Sequence, residues 1–256
     1  MISDQDFIRY SRQIMLPEFG EPGQLKLAEA KVAIVGVGGL GHHVAHSLAA
    51  AGVGSIHLFD GDNVESSNLP RQLLFNQADI GSNKAAVAAK RLARLYPSCQ
   101  LKAYEQFVGE TATEGFDSDI DLMIDCCDNF ETRHWVNQVS VDKRLALLSG
   151  SVSHFSGQLC LFTPRHFAQS GCYHCLFPQT MQVSNTCSTA GVLGPMVNLV
   201  AAAQSLMAIK YLANIEQPIG VLHRIDGLSM RWQQAKLHAD PLCPICSFSR
   251  QEALCI

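Results

Sequence analysis

The 256-residue sequence has no excess of positive charge. Nineteen Lys and Arg against 23 Asp and Glu leave a formal charge of −4 at pH 7. That removes the electrostatic field on which nucleic-acid binding depends. No uninterrupted apolar run of membrane length is present either. The longest apolar region, 192–212, contains Asn198, Gln204, Ser205 and Lys210. A spanning helix needs about 20 predominantly apolar residues, so a buried helix is the expectation. The opening residues, Met1-Ile2-Ser3-Asp4-Gln5-Asp6, lack the basic segment and apolar core of a secretory signal. There is no internal repeat and no low-complexity segment. These absences predict a cytoplasmic protein that binds neither nucleic acid nor membrane. Cysteine, by contrast, is plentiful, with ten in the chain. In a reducing compartment, spaced cysteines point to metal or redox chemistry rather than disulfides.

The strongest local pattern runs from Lys31 to Gly41. A short apolar run, Val32 to Val35, meets a turn in which Gly36, Gly38 and Gly41 follow G-x-G-x-x-G, with Gly39 as a fourth glycine. An Ala-rich segment, His42 to Ala51, follows directly. Strand, tight turn and helix are implied, and the free N–H groups at the helix start suit phosphate. Asp60 closes the next predicted strand, Ser55 to Phe59, at the spacing expected for a ribose-binding acid.

Length allows one large α/β domain or two small ones. Asp4 to Ile14 reads as an amphipathic helix with Phe7, Ile8 and Ile14 on one side and Arg9 and Arg12 sharing a face. A second short helix is expected over Gln24 to Ala30. Gly52 is positioned as the C-cap of the helix after the Gly-rich turn. The polar loop 61–72 sits at the carboxyl end of a strand, where open α/β sheets place ligands. Within it Asn68 and Arg71 suit phosphate oxygens. Ser82 to Tyr96 reads as a helix capped by Ser82, with Lys84 in its first turn. A cation there opposes the helix dipole, which argues that Lys84 faces an anion. Leu101–Val108 and Asp121–Cys126 are the next strands. The second ends in Cys126-Cys127-Asp128-Asn129, which places Asp128 on the sheet edge shared by the Gly-rich turn and Asp60. A carboxylate beside a phosphate site suits Mg²⁺, and Asp128 equally suits the N-cap of a helix over 130–143. Leu145–Ser149 is a fifth strand, and Phe155–Phe162 an antiparallel extension. Periodicity fades over 163–194. An apolar helix over 195–212 and a hairpin, Val221–Ile225 with Met230–Leu237, complete the pattern. The fold class expected is a Rossmann-like mixed α/β sheet, parallel in its N-terminal part, antiparallel in its C-terminal extension and flanked by helices. Residues 1–150 would form the nucleotide-binding part and 151–256 the extension of a single domain.

Cys172-Tyr173-His174-Cys175 and Cys243-Pro244-Ile245-Cys246 form two C-x-x-C knuckles. Four soft thiolates make a tetrahedral Zn²⁺ site, closed and therefore structural, that would staple the tail to the Cys172 loop. A lone C-x-x-C would read as a redox pair instead. Cys187 lies outside both pairs in Asn185-Thr186-Cys187-Ser188-Thr189, an irregular polar stretch in which a reactive thiol is credible.

Assembled in order, these motifs resemble the ThiF/MoeB/HesA family of ubiquitin-activating-like adenylyltransferases across nearly the whole chain. The resemblance rests on Arg9-Tyr10-Ser11-Arg12-Gln13-Ile14, the glycines at 36–41, Ala51-Gly52-Val53-Gly54 and Ser67-Asn68-Leu69-Pro70-Arg71-Gln72. Asp125-Cys126-Cys127-Asp128-Asn129, Gly171-Cys172-Tyr173-His174-Cys175, Thr186-Cys187-Ser188-Thr189-Ala190-Gly191-Val192 and the final C-x-x-C continue it. Pro70 departs from the common Gln, and Cys127 from the common Thr. Tyr10-Ser11-Arg12 and Asp226-Gly227 followed by Trp232 are closer to ThiF than to MoeB. The resemblance implies that ATP adenylylates the C-terminal Gly-Gly carboxylate of a ubiquitin-like sulfur carrier, ThiS-like, for thiazole formation in thiamine biosynthesis. Gly36, Gly38, Gly39, Gly41, Asp60, Asn68 and Asn129 would hold the nucleotide. Arg71 and Lys84 would stabilise phosphate charge, and Asp128 would hold Mg²⁺. Arg12 would reach the partner's site in a homodimer. Cys187 would form a thioester or acyl-persulfide link during sulfur transfer from a sulfurtransferase. A MoaD-like carrier in molybdopterin biosynthesis is the alternative. The Gly-rich turn followed by an acid also fits a nicotinamide-dependent oxidoreductase, and the cysteine pairs fit a metal-stapled binding module. The oxidoreductase leaves Arg71, Lys84 and the cysteine pairs without a task, and Arg71, Lys84 and Asp128 argue against the binding module.

Overall fold

The computed structural model describes residues 2–109, 115–116, 119–181 and 191–247. Its framework is one eight-stranded sheet. The strands are β1 (Lys31–Val35), β2 (Ser55–Phe59), β3 (Gln100–Tyr104), β4 (Leu122–Asp125), β5 (Ala146–Ser153), β6 (Ser156–Phe162), β7 (Val221–Asp226) and β8 (Arg231–Lys236), in the order 3-2-1-4-5-6-7-8. The first five are parallel, and β6, β7 and β8 continue the sheet antiparallel. The mixed α/β architecture expected from the sequence is therefore observed.

Alternation along β1 shows how the sheet divides its core. Val32 and Ile34 point to one face, where they meet α3 (Gly41–Ala51), α4 (Lys84–Leu95) and α8 (Gly194–Leu212). Ala33 and Val35 point to the other, towards α5 (Phe130–Asp142) and the short helices α6 (Phe167–Ser170) and α7 (Tyr173–Leu176). Strands covered on both faces read as continuous apolar runs, as β1 and β2 do. α8 is apolar on all sides because it crosses the sheet face, packing on α3, β5 and β6. Among the described residues no helix is long and apolar enough to cross a membrane.

The two N-terminal helices, α1 (Asp4–Ile14) and α2 (Gly20–Glu29), dock on the end of α3. α1 keeps its expected bounds but not its expected buried side. Phe7 is 50% and Ile8 75% exposed, and Tyr10 is buried instead. A polar anchor sets this orientation. Gln13 Nε2 and Gln24 Nε2 both donate to the Ala51 carbonyl, at 2.8 and 3.1 Å, which satisfies the end of α3. Several boundaries also shift. β3 stops at Tyr104 rather than Val108, and β5 runs on to Ser153 rather than Ser149. α2 begins four residues earlier than Gln24. α4 is capped by the Asn83 side chain rather than Ser82, and α5 by Asn129 rather than Asp128. Asparagine at these positions reaches the third helical N–H, so Asp128 is left free of a capping role.

Candidate nucleotide site and thiol cluster

The strand order reverses direction between β1 and β4. In open α/β sheets ligands bind at that switch point, beyond the carboxyl ends of the strands. Here the gap holds a cavity of about 320 Å³ lined by Gly36, Gly38, Gly39, Asp60, Asn68, Arg71, Lys84 and Asp128, together with Asp62, Gln72, Cys126, Cys127, Val192 and Val197.

Two glycines make the turn possible. Gly36 adopts φ +86°, and a Cβ there would meet the Cys126 carbonyl oxygen at 2.8 Å. A Cβ on Gly41 would lie 1.8 Å from the Gly36 carbonyl oxygen. Helix α3 thus starts against the strand end, and Gly41 serves that packing from outside the cavity lining. No side chain caps α3, so its start is open to an anion. His42 steadies the turn through an Nδ1 contact with the Gly38 carbonyl at 2.6 Å. Burial, with His43 beside it, pushes the His42 imidazole down to about 3 and keeps it neutral.

Asp60 is fixed before any ligand arrives. One carboxylate oxygen accepts the Val37 N–H at 2.7 Å and the other the Asp62 N–H at 2.8 Å. Burial pushes its carboxyl up, while nearby Lys84 pulls it down. Lys84 is 7% exposed and does face an anion, since its Nζ lies 2.9 Å from Asp62 Oδ2. The misplaced cation of the sequence is thus explained within the chain. Asn68 is buried, and its Oδ1 accepts the Glu65 N–H at 3.2 Å. Arg71 is held by the Ser67 carbonyl at 2.8 Å and still lines the cavity beside Pro70. Asp128 is exposed at the cavity rim. Asn129 caps α5 and does not line the cavity, and neither does Arg12, which is exposed on α1. Cys187 lies outside the described residues.

The floor beneath Asp128 is a buried polar network that the sequence reading missed. Arg133 on α5 donates to the Cys127 and Gly150 carbonyls and pairs with Asp125 Oδ2 at 3.3 Å. Asp125 also accepts from Ser149 Oγ at 2.6 Å and the Cys127 N–H at 3.0 Å. Gln204 of α8 closes the other side, donating to the Asp125 and Leu148 carbonyls at 3.0 and 3.2 Å. The polar break that Gln204 makes in an apolar helix was the available signal. Gln72 was missed too: it is buried on the cavity wall with Oε1 unpartnered.

On the far face of the sheet the two cysteine pairs meet. Cys172 and Cys243 Sγ are 3.9 Å apart, Cys175 and Cys246 Sγ 3.6 Å, and all four sulfurs lie within 4.8 Å of one another. A disulfide needs about 2.05 Å. A tetrahedron with metal–sulfur bonds of about 2.3 Å has edges of about 3.8 Å, which these separations match. Hydrogen bonds from Cys172 and then Cys246 hold the Cys175 thiol far below the usual thiol range, while the same contacts push the Cys172 thiol up.

A mixed α/β chain with a Gly-rich cradle, an acid at the second strand end, converging cations and a four-thiol site belongs to a class of nucleotide-binding proteins. The chain is a member of the ThiF family, whose model matches residues 10–245. It is 41% identical over 251 residues to the sulfur carrier protein ThiS adenylyltransferase of Escherichia coli strain K12, covering 98% of this chain and 99% of that protein. To the molybdopterin-synthase adenylyltransferase of Salmonella typhimurium strain LT2 it is 35% identical over 246 residues, covering 96% and 98%. Among solved structures, E. coli MccB with MccA-N7isoASN has the same fold, with TM-score 0.81, 24% identity and coverage of 96% of this chain and 75% of that one.

Proposed function

We propose that this protein uses ATP to adenylylate the C-terminal glycine carboxylate of a ubiquitin-like, ThiS-like sulfur carrier, releasing pyrophosphate. The observation that carries this reading is the convergence of Asp60, Asn68, Arg71, Lys84 and Asp128 on one cavity beside the glycine turn. The match to a ThiS adenylyltransferase over nearly the full length of both chains supports the choice of carrier. A carboxylate is already ionised at pH 7, so the attack on the α-phosphorus needs no general base. Placement and charge stabilisation remain as the protein's tasks. Asp60, held by two backbone N–H groups, is aimed at the ribose. Lys84 exchanges Asp62 for phosphate oxygens, and the Arg71 fork binds the departing pyrophosphate. Asp128, uncommitted at the rim, is the oxygen donor suited to Mg²⁺, which when bound neutralises phosphate charge. A nicotinamide cofactor would leave Lys84 and Arg71 without a role.

The four thiols fit Zn²⁺ in a closed structural site that ties the tail to the body of one adenylation domain. Exposed Arg12 fits a homodimer in which it serves the partner's site. Cys187 is assigned to sulfur transfer from a sulfurtransferase. Cys187→Ala is expected to keep pyrophosphate exchange and lose thiocarboxylate formation on the carrier, and equal loss of both steps would remove the assignment. Similarity to the molybdopterin-synthase adenylyltransferase supports a second reading, with a MoaD-like carrier. ATP–pyrophosphate exchange with each carrier tests both. Exchange dependent on a ThiS-like carrier is expected, dependence on a MoaD-like carrier alone would select the second reading, and no exchange with either would defeat both.

A further inference from the structure

Helix α5 turns a line of polar side chains inward. Arg133, His134 and Asn137 are all buried, Asn137 with only 1% exposed, and positions three or four apart share a helix face. Arg133 braces the cavity floor, whereas His134 and Asn137 meet the first cysteine knuckle. The His134 ring stands edge-on to those of Tyr173 and His174, with centroids 5.5 and 5.4 Å apart. The two residues between Cys172 and Cys175 are therefore seated on α5 independently of the thiols.

A buried carboxamide needs partners for both of its ends. Asn137 Oδ1 accepts the Tyr173 N–H at 2.9 Å. That N–H opens α7, which has no side-chain cap of its own. A backbone N–H can only donate, so the amide oxygen must face Tyr173 and the amide nitrogen must turn away. What Nδ2 meets is Cys172 Sγ, at 3.6 Å. An amide nitrogen donates and does not accept, so this contact favours a sulfur that carries charge. Cys172, Cys243 and Cys246 are fully buried. Four thiolates around a divalent cation leave excess negative charge there, in a setting where unpartnered charge is costly. A directed N–H on one sulfur offsets part of that cost and fixes where the sulfur points.

We infer that Asn137 is a positioning residue of the four-thiol site: its carboxamide aims Cys172 Sγ at the metal, shares the thiolate charge and so raises the affinity for Zn²⁺. The inference rests on the zinc reading of the thiols given above, and the full chain can separate the two. Parent protein purified without chelators should hold zinc, and its absence defeats the zinc reading itself. Asn137→Asp keeps an acceptor for the Tyr173 N–H and removes the donor to sulfur. Competition with a graded series of chelators should show zinc affinity falling by about 10–100-fold, the usual loss when such an outer partner is removed. Co²⁺ bound in place of Zn²⁺ supplies a second reading. Without its N–H the sulfur gives up electron density more readily, so the sulfur-to-cobalt charge-transfer band should move to longer wavelength. A residue that only capped α7 would leave that band in place. Should Asn137→Asp fail to fold, Asn137→Leu, of similar shape and without polar atoms, gives both readings. With zinc present in the parent, an unchanged affinity in the variant overturns the inference, and so does a lost affinity with an unmoved band.

Discussion

The nucleotide cavity and the four-thiol cluster lie on the same sheet but are held together in different ways. Cavity groups are fixed by backbone. Asp60 is clamped by two N–H groups, and Arg133 and Gln204 tie the turn beneath Asp128 to the carbonyls of β4 and β5. The thiols come instead from the four-residue helix α7, the residue before it and a tail without regular structure. Their mutual contacts join those pieces, alongside the Ala239 N–H donating to the Gln169 carbonyl at 3.1 Å. The sheet edge therefore has its shape in the absence of ligand, whereas four thiolates this close would repel one another without the proposed cation. One region is organised by the fold, and the other helps to organise it.

Metal removal should widen that contrast most. Structural zinc sites have apparent binding energies of about 10–16 kcal/mol. A strong chelator, or Cys243→Ser, is expected to lower Tm and open the tail after β8 to proteolysis, with ATP still bound. Loss of nucleotide binding before any change in the tail would break the comparison. Next in size is the cavity floor. Arg133→Leu strands buried Asp125 without its cation, a loss of about 3–5 kcal/mol by denaturant titration. An unchanged midpoint would mean that the network does not brace the turn. Lys84→Ala acts on chemistry instead: pyrophosphate exchange should fall about 10²–10³-fold, while Tm, read by calorimetry, stays near the parent value because Asp62 is half exposed. The smallest effect concerns pH. His42 holds a proton less readily folded than unfolded, so its contribution to stability is complete above about 6.5 and is lost as pH falls towards about 3. Each pH unit within that window is worth at most about 1.4 kcal/mol. Thermal melts of His42→Gln should show a flatter acid limb, and an identical pH profile would clear His42 of the role.

Most of the sheet was legible because its signals are local. Apolar runs bounded by glycine gave β1 and β2, and the hairpin of β7 and β8 announced itself at Asp226-Gly227. Lys84 was legible as a cation in the wrong place, and the missing piece was only which anion it met. Side choice on α1 was not legible. Phe7 and Ile8 have the right spacing for a core face, yet the burial of Tyr10 and the Gln13–Ala51 bond decided the orientation. Arg133 and Gln204 escaped for a related reason, since their partners lie 6 to 79 residues away and no periodic pattern links them. The thiol cluster was readable across 71 residues only because two knuckles of identical spacing announce each other.

That separation has a consequence for how the protein matures. Cys172 meets Cys243, and Cys175 meets Cys246, each across 71 residues of chain. During synthesis the second knuckle emerges only after the switch-point turn, α8 and the closing hairpin have been made. Loop-closure entropy rises only slowly with length, by about 0.6 kcal/mol per doubling. Seventy-one residues of chain are therefore no great obstacle once the intervening elements have packed. If the four thiols hold the proposed Zn²⁺, clasping the tail follows the synthesis of everything between the knuckles, and a cell short of metal would accumulate chains with a finished nucleotide cavity and a loose end.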